Sequence, residues 1–92
     1  MNIQQEDYGK IGMFFIEQDD KRVAKLVYSW KDKDRIIIEH TDVEEVLKEE
    51  GAGKELVAKT VEFARKEGIK IIPVCSFAKR IFDKTDAYKD VS

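Results

Sequence analysis

The spacing of apolar residues changes once along this chain, and that change limits the folds open to it. Between Gly12 and Thr41 apolar side chains recur with period two, whereas between Gly53 and Lys66 they recur with a period near 3.6. Three segments make up the first region: GMFFIE from Gly12 to Glu17, a short apolar and aromatic run, then RVAKLVYSW from Arg22 to Trp30, which carries the alternation, and RIIIEHT from Arg35 to Thr41. The polar runs QDDK and KDKD between them suit tight turns, so the segments read as an antiparallel three-stranded meander. Ala24, Leu26, Tyr28 and Trp30 fall on one face of the second strand. In the third strand, strict alternation places His40 with Ile36 and Ile38, and Glu39 with Ile37.

The helical pattern gathers Leu56, Val57, Val61, Phe63 and Ala64 on one side, allows a Glu62 to Lys66 pair and stops at Gly68. Ile69 to Val74, IKIIPV, reads as a fourth strand with Pro73 near its end, and Ser76 to Lys84 as a short helix with Phe77, Ile81 and Phe82 on its core side. A strand, a glycine loop, a helix and another strand make a crossover, so the third and fourth strands are expected to be parallel. The expected fold is therefore α/β (α+β), a mixed sheet in one domain over residues 1–92. A ligand crevice is expected at the carboxyl ends of those two strands.

Composition excludes several roles. The 92 residues carry 17 basic and 19 acidic side chains, a net charge of −2, which leaves no basic footprint for general nucleic-acid binding. One cysteine permits no intrachain disulfide, and one histidine beside it cannot make a structural zinc site, so no metal is expected. The opening MNIQQEDYGK has no apolar signal region, and no stretch nears the roughly 20 apolar residues of a membrane span. A cytoplasmic location without a membrane partner is expected.

The run KEEGAGKEL, Lys48 to Leu56, lies between the third strand and the main helix. Two glycines there allow backbone N–H groups and the positive end of the helix dipole to face an anion, and they equally suit a plain helix-start turn. Asp42, Glu44, Glu45, Glu49, Glu50 and Glu55 stand around the run against Lys48 and Lys54, which opposes a polyanion. Lys79, Arg80 and Lys84 on the last helix are available to offset those acids or to form a solvated face.

The order of segments, with AKLVY at Ala24 to Tyr28, HTDV at His40 to Val43, KEEGAG at Lys48 to Gly53 and PVCSF at Pro73 to Phe77, resembles the small single-domain branch of the GCN5-related N-acetyltransferase superfamily. KEEGAG fits that superfamily's acyl-CoA motif, Q/R-x-x-G-x-G/A, with lysine at its first position. The resemblance implies that Lys48, Glu49, Glu50, Gly51, Ala52, Gly53 and Lys54 form the pyrophosphate loop of a CoA site. It implies further that Thr41, Val43, Ser76 and Phe77 border the pantetheine between diverging strands. The cosubstrate implied is acetyl-CoA, and the reaction is acetyl transfer to an amine such as a protein lysine or N-terminus. A CoA-binding or protein-interaction domain of the same fold is the alternative.

Two residues are candidates for the chemistry. Cys75 precedes a helix start, where the dipole favours a thiolate, and the resemblance places it near the CoA sulfur; it also suits an inert packed thiol. His40 could accept a proton from the acceptor amine, although its expected face, shared with two isoleucines, suits a histidine held within the sheet. Glu39 is a second candidate base. The position at which the family often carries a tyrosine is Ile81 here, leaving Tyr88 as a distant substitute.

Overall fold

The computed structural model describes residues 2–92. Strands β1 (Ile3–Asp7), β2 (Ile11–Gln18), β3 (Lys21–Asp32) and β4 (Arg35–Val43) run antiparallel, and β5 (Lys70–Pro73) joins β4 in parallel. They form one mixed sheet in the order β1-β2-β3-β4-β5. The expected meander and crossover are present, and β1 is an addition to them. Its sequence IQQED offers a single apolar residue, too few to show a period. The hairpin behind it is nonetheless well made: the Tyr8 N–H donates to the Ile11 carbonyl at 2.8 Å, and Gly9 takes a φ of +94°.

The main helix, α2 (Ala52–Glu67), follows a single short turn of helix, α1 (Glu45–Lys48), and is closed by Gly68 in the left-handed conformation. After β5 come α3 (Ser76–Lys84) and a 3-10 turn (Asp86–Val91). Leu56, Val57 and Val61 of α2, Ala78 and Phe82 of α3, and Val91 share one buried cluster with Leu26, Tyr28, Ile36 and Ile38 of the sheet. On the surface of α2, Glu62 pairs with Lys59 at 3.6 Å in place of the expected Lys66. Arg65 ties α2 to the 3-10 turn through Asp90 at 2.9 Å and the Ala87 carbonyl at 2.7 Å.

At the hairpin end, Tyr28 is fully buried and its hydroxyl donates to Asp7 at 2.6 Å while accepting from the Gln5 amide at 2.9 Å. The Trp30 indole N–H donates to the same Asp7 oxygen at 2.9 Å. Burial and the Asp7 carboxylate push the Tyr28 phenol far above its usual range, so it stays a donor. The hydroxyl of this buried ring thus has both a donor and an acceptor against it, as a low dielectric requires.

One irregularity in β4 decides what faces what. Tyr28 pairs with Ile38 but Val27 pairs with His40, so Glu39 is an extra residue in the ladder, a β-bulge. Ahead of it Ile36 and Ile38 point into the core; beyond it Thr41 and Val43, opposite Leu26 and Ala24, take over that side. His40 is thereby turned outward and exposed, which corrects the expectation that it shares the face of Ile36 and Ile38. Glu39 points outward as well and accepts a hydrogen bond from the Ser29 hydroxyl at 2.5 Å.

Candidate functional site

The parallel ladder between β4 and β5 runs from Arg35 and Lys70 to Ile38 and Pro73 and stops there. Pro73 has no N–H to continue it, and the N–H groups of Val74 and Cys75 both turn to the Ile38 carbonyl, at 3.2 and 3.0 Å. At the same level β4 bulges while the chain after β5 enters α3, so the two strands part. A cleft of about 420 Å³ opens at that point. Thr41, Asp42 and Val43 make one wall, Gly51, Gly53 and Lys54 the facing one, and Lys48 and Phe77 close it.

The start of α2 presents its main chain to this cleft. Gly51 caps the helix with a φ of +78°, a conformation that costs a residue with a Cβ about 1 kcal/mol or more. The first bond of the helical ladder runs from the Glu55 N–H to the Gly51 carbonyl at 3.1 Å, so the N–H groups of Ala52, Gly53 and Lys54 lie ahead of it. Those groups, the helix dipole and the two lysine side chains make this wall electropositive. Lys48 is braced by Glu45 at 3.2 Å. Gly53 also has a packing duty that its sequence context did not disclose: a Cβ there would stand 2.5 Å from Cζ of Phe77. The small residue lets the ring lie flat against the helix start.

Cys75 sits beside Thr41, with Oγ1 and Sγ 3.7 Å apart, and caps the start of α3. Burial pushes its thiol up, but the Ala78 and Phe77 N–H groups and the Thr41 hydroxyl outweigh burial and hold it below the usual 9.0. The bulge that turns His40 out is the same feature that brings Thr41 in to this thiol.

The remaining candidates lie elsewhere. Glu49 and Glu50 are exposed and outside the lining of the cleft, so the loop's acids do not crowd it. The Ala52 side chain is buried and offers the cleft only main chain, and Ser76 is exposed outside the lining. Lys79 pairs with Asp83 of its own helix at 3.5 Å, not with the loop's acids. Tyr88 packs on Phe82, ring centroids 5.4 Å apart, away from the lining residues. Asp42 is a lining residue that motif reading treated only as one acid near the loop. Among the described residues no three His, Cys, Asp or Glu side chains stand together as a metal site, and no helix is long and apolar enough to cross a membrane.

A family profile described as GCN5-related N-acetyl-transferase matches residues 13–91. The chain belongs to that family. Among solved structures, the chain resembles the solution structure of a GCN5-like candidate N-acetyltransferase from Staphylococcus aureus. Identity is 37%, the TM-score is 0.78, and the match covers 98% of this chain and 85% of the staphylococcal one. No curated protein matches this chain.

Proposed function

We propose that the chain transfers an acetyl group from acetyl-CoA to an amine, using the cleft between β4 and β5. The observation that carries this reading is the meeting of two features at one point, a ladder that stops at Ile38 and Pro73 and a helix N-terminus turned toward the gap, with a thiol of lowered pKa against Thr41 of the cleft wall. The residues present fit acetyl-CoA. The N–H groups of Ala52 to Lys54, with Lys48 and Lys54, suit a pyrophosphate, and Val43 and Phe77 suit an apolar stem.

When bound, acetyl-CoA supplies a thioester carbonyl open to attack by an amine. The chain's own contribution is mainly to position that group, which is worth several kcal/mol when the geometry is tight. The edge of β4 beyond Ile38 has no strand against it, so its main chain is free to bond an extended ligand. Thr41 orients the Cys75 sulfur, which lies against this wall residue and outside the lining itself, and Cys75 holds a proton there that it can exchange nearer neutral pH than an ordinary thiol. Binding of CoA without transfer is favoured by one observation, the outward turn of His40, which leaves no imidazole in the cleft wall.

Titration of the labelled protein with acetyl-CoA tests the reading by NMR. Amide shifts at Thr41 and at Gly51 to Lys54 are expected, and their absence at saturating ligand would overturn it. A mass-shift assay over amines and peptides then separates the two outcomes: an acetylated amine supports the enzyme, and binding with no product on any amine supports the binder.

A further inference from the structure

The two edges of the sheet differ. At β5 the edge is four residues long, ends in proline and is flanked by the 3-10 turn, whose Asp90 carbonyl accepts from the Lys70 ammonium. At β1 the edge is open, because β1 pairs with β2 alone. The phase of its ladder follows from the hairpin. The Tyr8 N–H bonds to Ile11, so in an antiparallel pair Glu6 and Gln4 also bond toward β2, while the main-chain groups of Ile3, Gln5 and Asp7 point away from the sheet. The Gln5 and Asp7 side chains are drawn inward to Tyr28 and do not screen those groups. No proline, lysine or bulge blunts the strand, and its two charges are taken up within the fold, Asp7 by Tyr28, Trp30 and Gly9 and Glu6 by Arg22. Beside it runs a groove of about 210 Å³ between β1 and α2, with Ile3, Phe14 and Phe63 among its lining.

We infer that β1 pairs with β1 of a second copy of the chain, antiparallel and across a two-fold axis at Gln5. The open groups fall on odd-numbered residues, so a fully bonded joint matches odd with odd: Ile3 with the partner's Asp7, Gln5 with its counterpart, and Asp7 with the partner's Ile3. On the outer face this register sets Gln4 opposite the partner's Glu6, a neutral amide against a carboxylate. Moving the axis one residue toward Glu6 would set that carboxylate directly against its own copy, and like charges opposite one another repel. Charge disfavours that shift, and a shift the other way, toward Gln4, would carry Asp7 past the end of the partner's β1, so the Gln5-centred register alone joins all three odd residues. The two grooves then adjoin on the same side of the joined sheet, meeting at the paired Gln5 residues that line them. A joint of one five-residue strand is small, so the association is weak and depends on concentration.

Sedimentation velocity across a wide concentration range tests this, with Gln4→Glu and Gln4→Lys as a matched pair. Gln4 is exposed and its side chain takes part in no bond within the fold, so both variants keep the monomer intact. The glutamate variant would set a second carboxylate against the partner's Glu6 at both ends of the joint, and the lysine variant would set an ammonium there. The dissociation constant should rise in the first and fall in the second, by roughly two- to thirtyfold each, with salt compressing both. Amide exchange at Ile3, Gln5 and Asp7 should slow as concentration rises. A chain that stays monomeric at millimolar concentration, or a dimer whose constant the two variants leave alone or move the same way, overturns the inference.

Discussion

Gly12 in β2 and Gly53 in α2 make the same demand on space: a Cβ on either would stand 2.5 Å from Cζ of an aromatic ring, Tyr28 in one case and Phe77 in the other. What surrounds each ring differs. Tyr28 has no exposed surface, is bonded through its hydroxyl to Gln5 and Asp7, and lies within 5.7 to 6.4 Å of the rings of Phe14, Phe63 and Trp30. Phe77 is half-buried at the wall of an open cleft. The first ring has nowhere to go, and the second can swing into the space a ligand needs. The hairpin end of the sheet thus converts a misfit into lost stability, and the cleft end converts it into lost binding.

Gly12→Ala is the strongest test of that contrast. The new methyl also meets the Glu6 carbonyl at 2.9 Å, so overpacking should cost about 3 kcal/mol, a fall in Tm of roughly 15 °C followed by circular dichroism. An unchanged Tm would mean that the Tyr28 ring is free to move. Next in size is Tyr28→Phe, which leaves the Asp7 network without its central hydroxyl and should cost about 2 kcal/mol while acetyl-CoA affinity stays as it was. The same network sets a pH dependence. Burial resists ionisation of Asp7, but the Tyr28, Trp30 and Gly9 hydrogen bonds prevail and hold its carboxyl below the ordinary 3.8. The unfolded chain then binds the proton more readily than the folded one, so this stabilisation is present above about pH 4 and is lost as pH falls below it. Asp7→Asn should flatten the acid limb of the stability curve, and an unaltered limb would remove Asp7 from it.

At the cleft end, Gly53→Ala should leave stability within about 1 kcal/mol of the parent, since alanine favours the helix as the ring gives way. Acetyl-CoA affinity should nonetheless fall about tenfold, near 1.4 kcal/mol by calorimetry. A loss of stability with intact binding would reverse the contrast with Gly12. Thr41→Val has a subtler readout. Removing the hydroxyl beside Cys75 should shift the pH profile of thiol alkylation upward, toward the ordinary 9.0, without a change in fold. The smallest effect belongs to Glu49→Gln with Glu50→Gln: both acids are exposed and off the lining, so affinity at physiological salt should change by less than about twofold.

The two ends were not equally readable in the amino-acid sequence. β3 and the start of β4 bury one face, β2 is a compact apolar run with Phe14, Phe15 and Ile16 all buried, and α2 buries one side, so the hydrophobic pattern located them; the glycine pair placed the loop. β1 escaped because an edge strand with one side chain toward the core has no pattern to show, and α1 and the 3-10 turn escaped because they are too short to have a period. The inner wall of the cleft escaped for a different reason. Alternation assigns faces by counting, and a bulge adds one to the count without changing any residue type. His40 was placed inward for that reason alone. The seat of Phe77 on Gly53 likewise joins two segments with the whole of α2 and β5 between them, farther apart than any local window spans.

The bulge at Glu39 makes the cleft depend on arithmetic as much as on chemistry. Excising that one residue would give plain alternation with His40 still opposite Val27 and Thr41 still opposite Leu26, so every residue beyond it would keep its side; closing the bulge with Glu39 retained would instead send Thr41 and Val43 to solvent and bring His40 to the space beside Cys75. A slip of one residue in the pairing of this stretch is thus a switch between two different reaction vessels cut from the same strand, and a deletion at Glu39 is the change that leaves the present one standing.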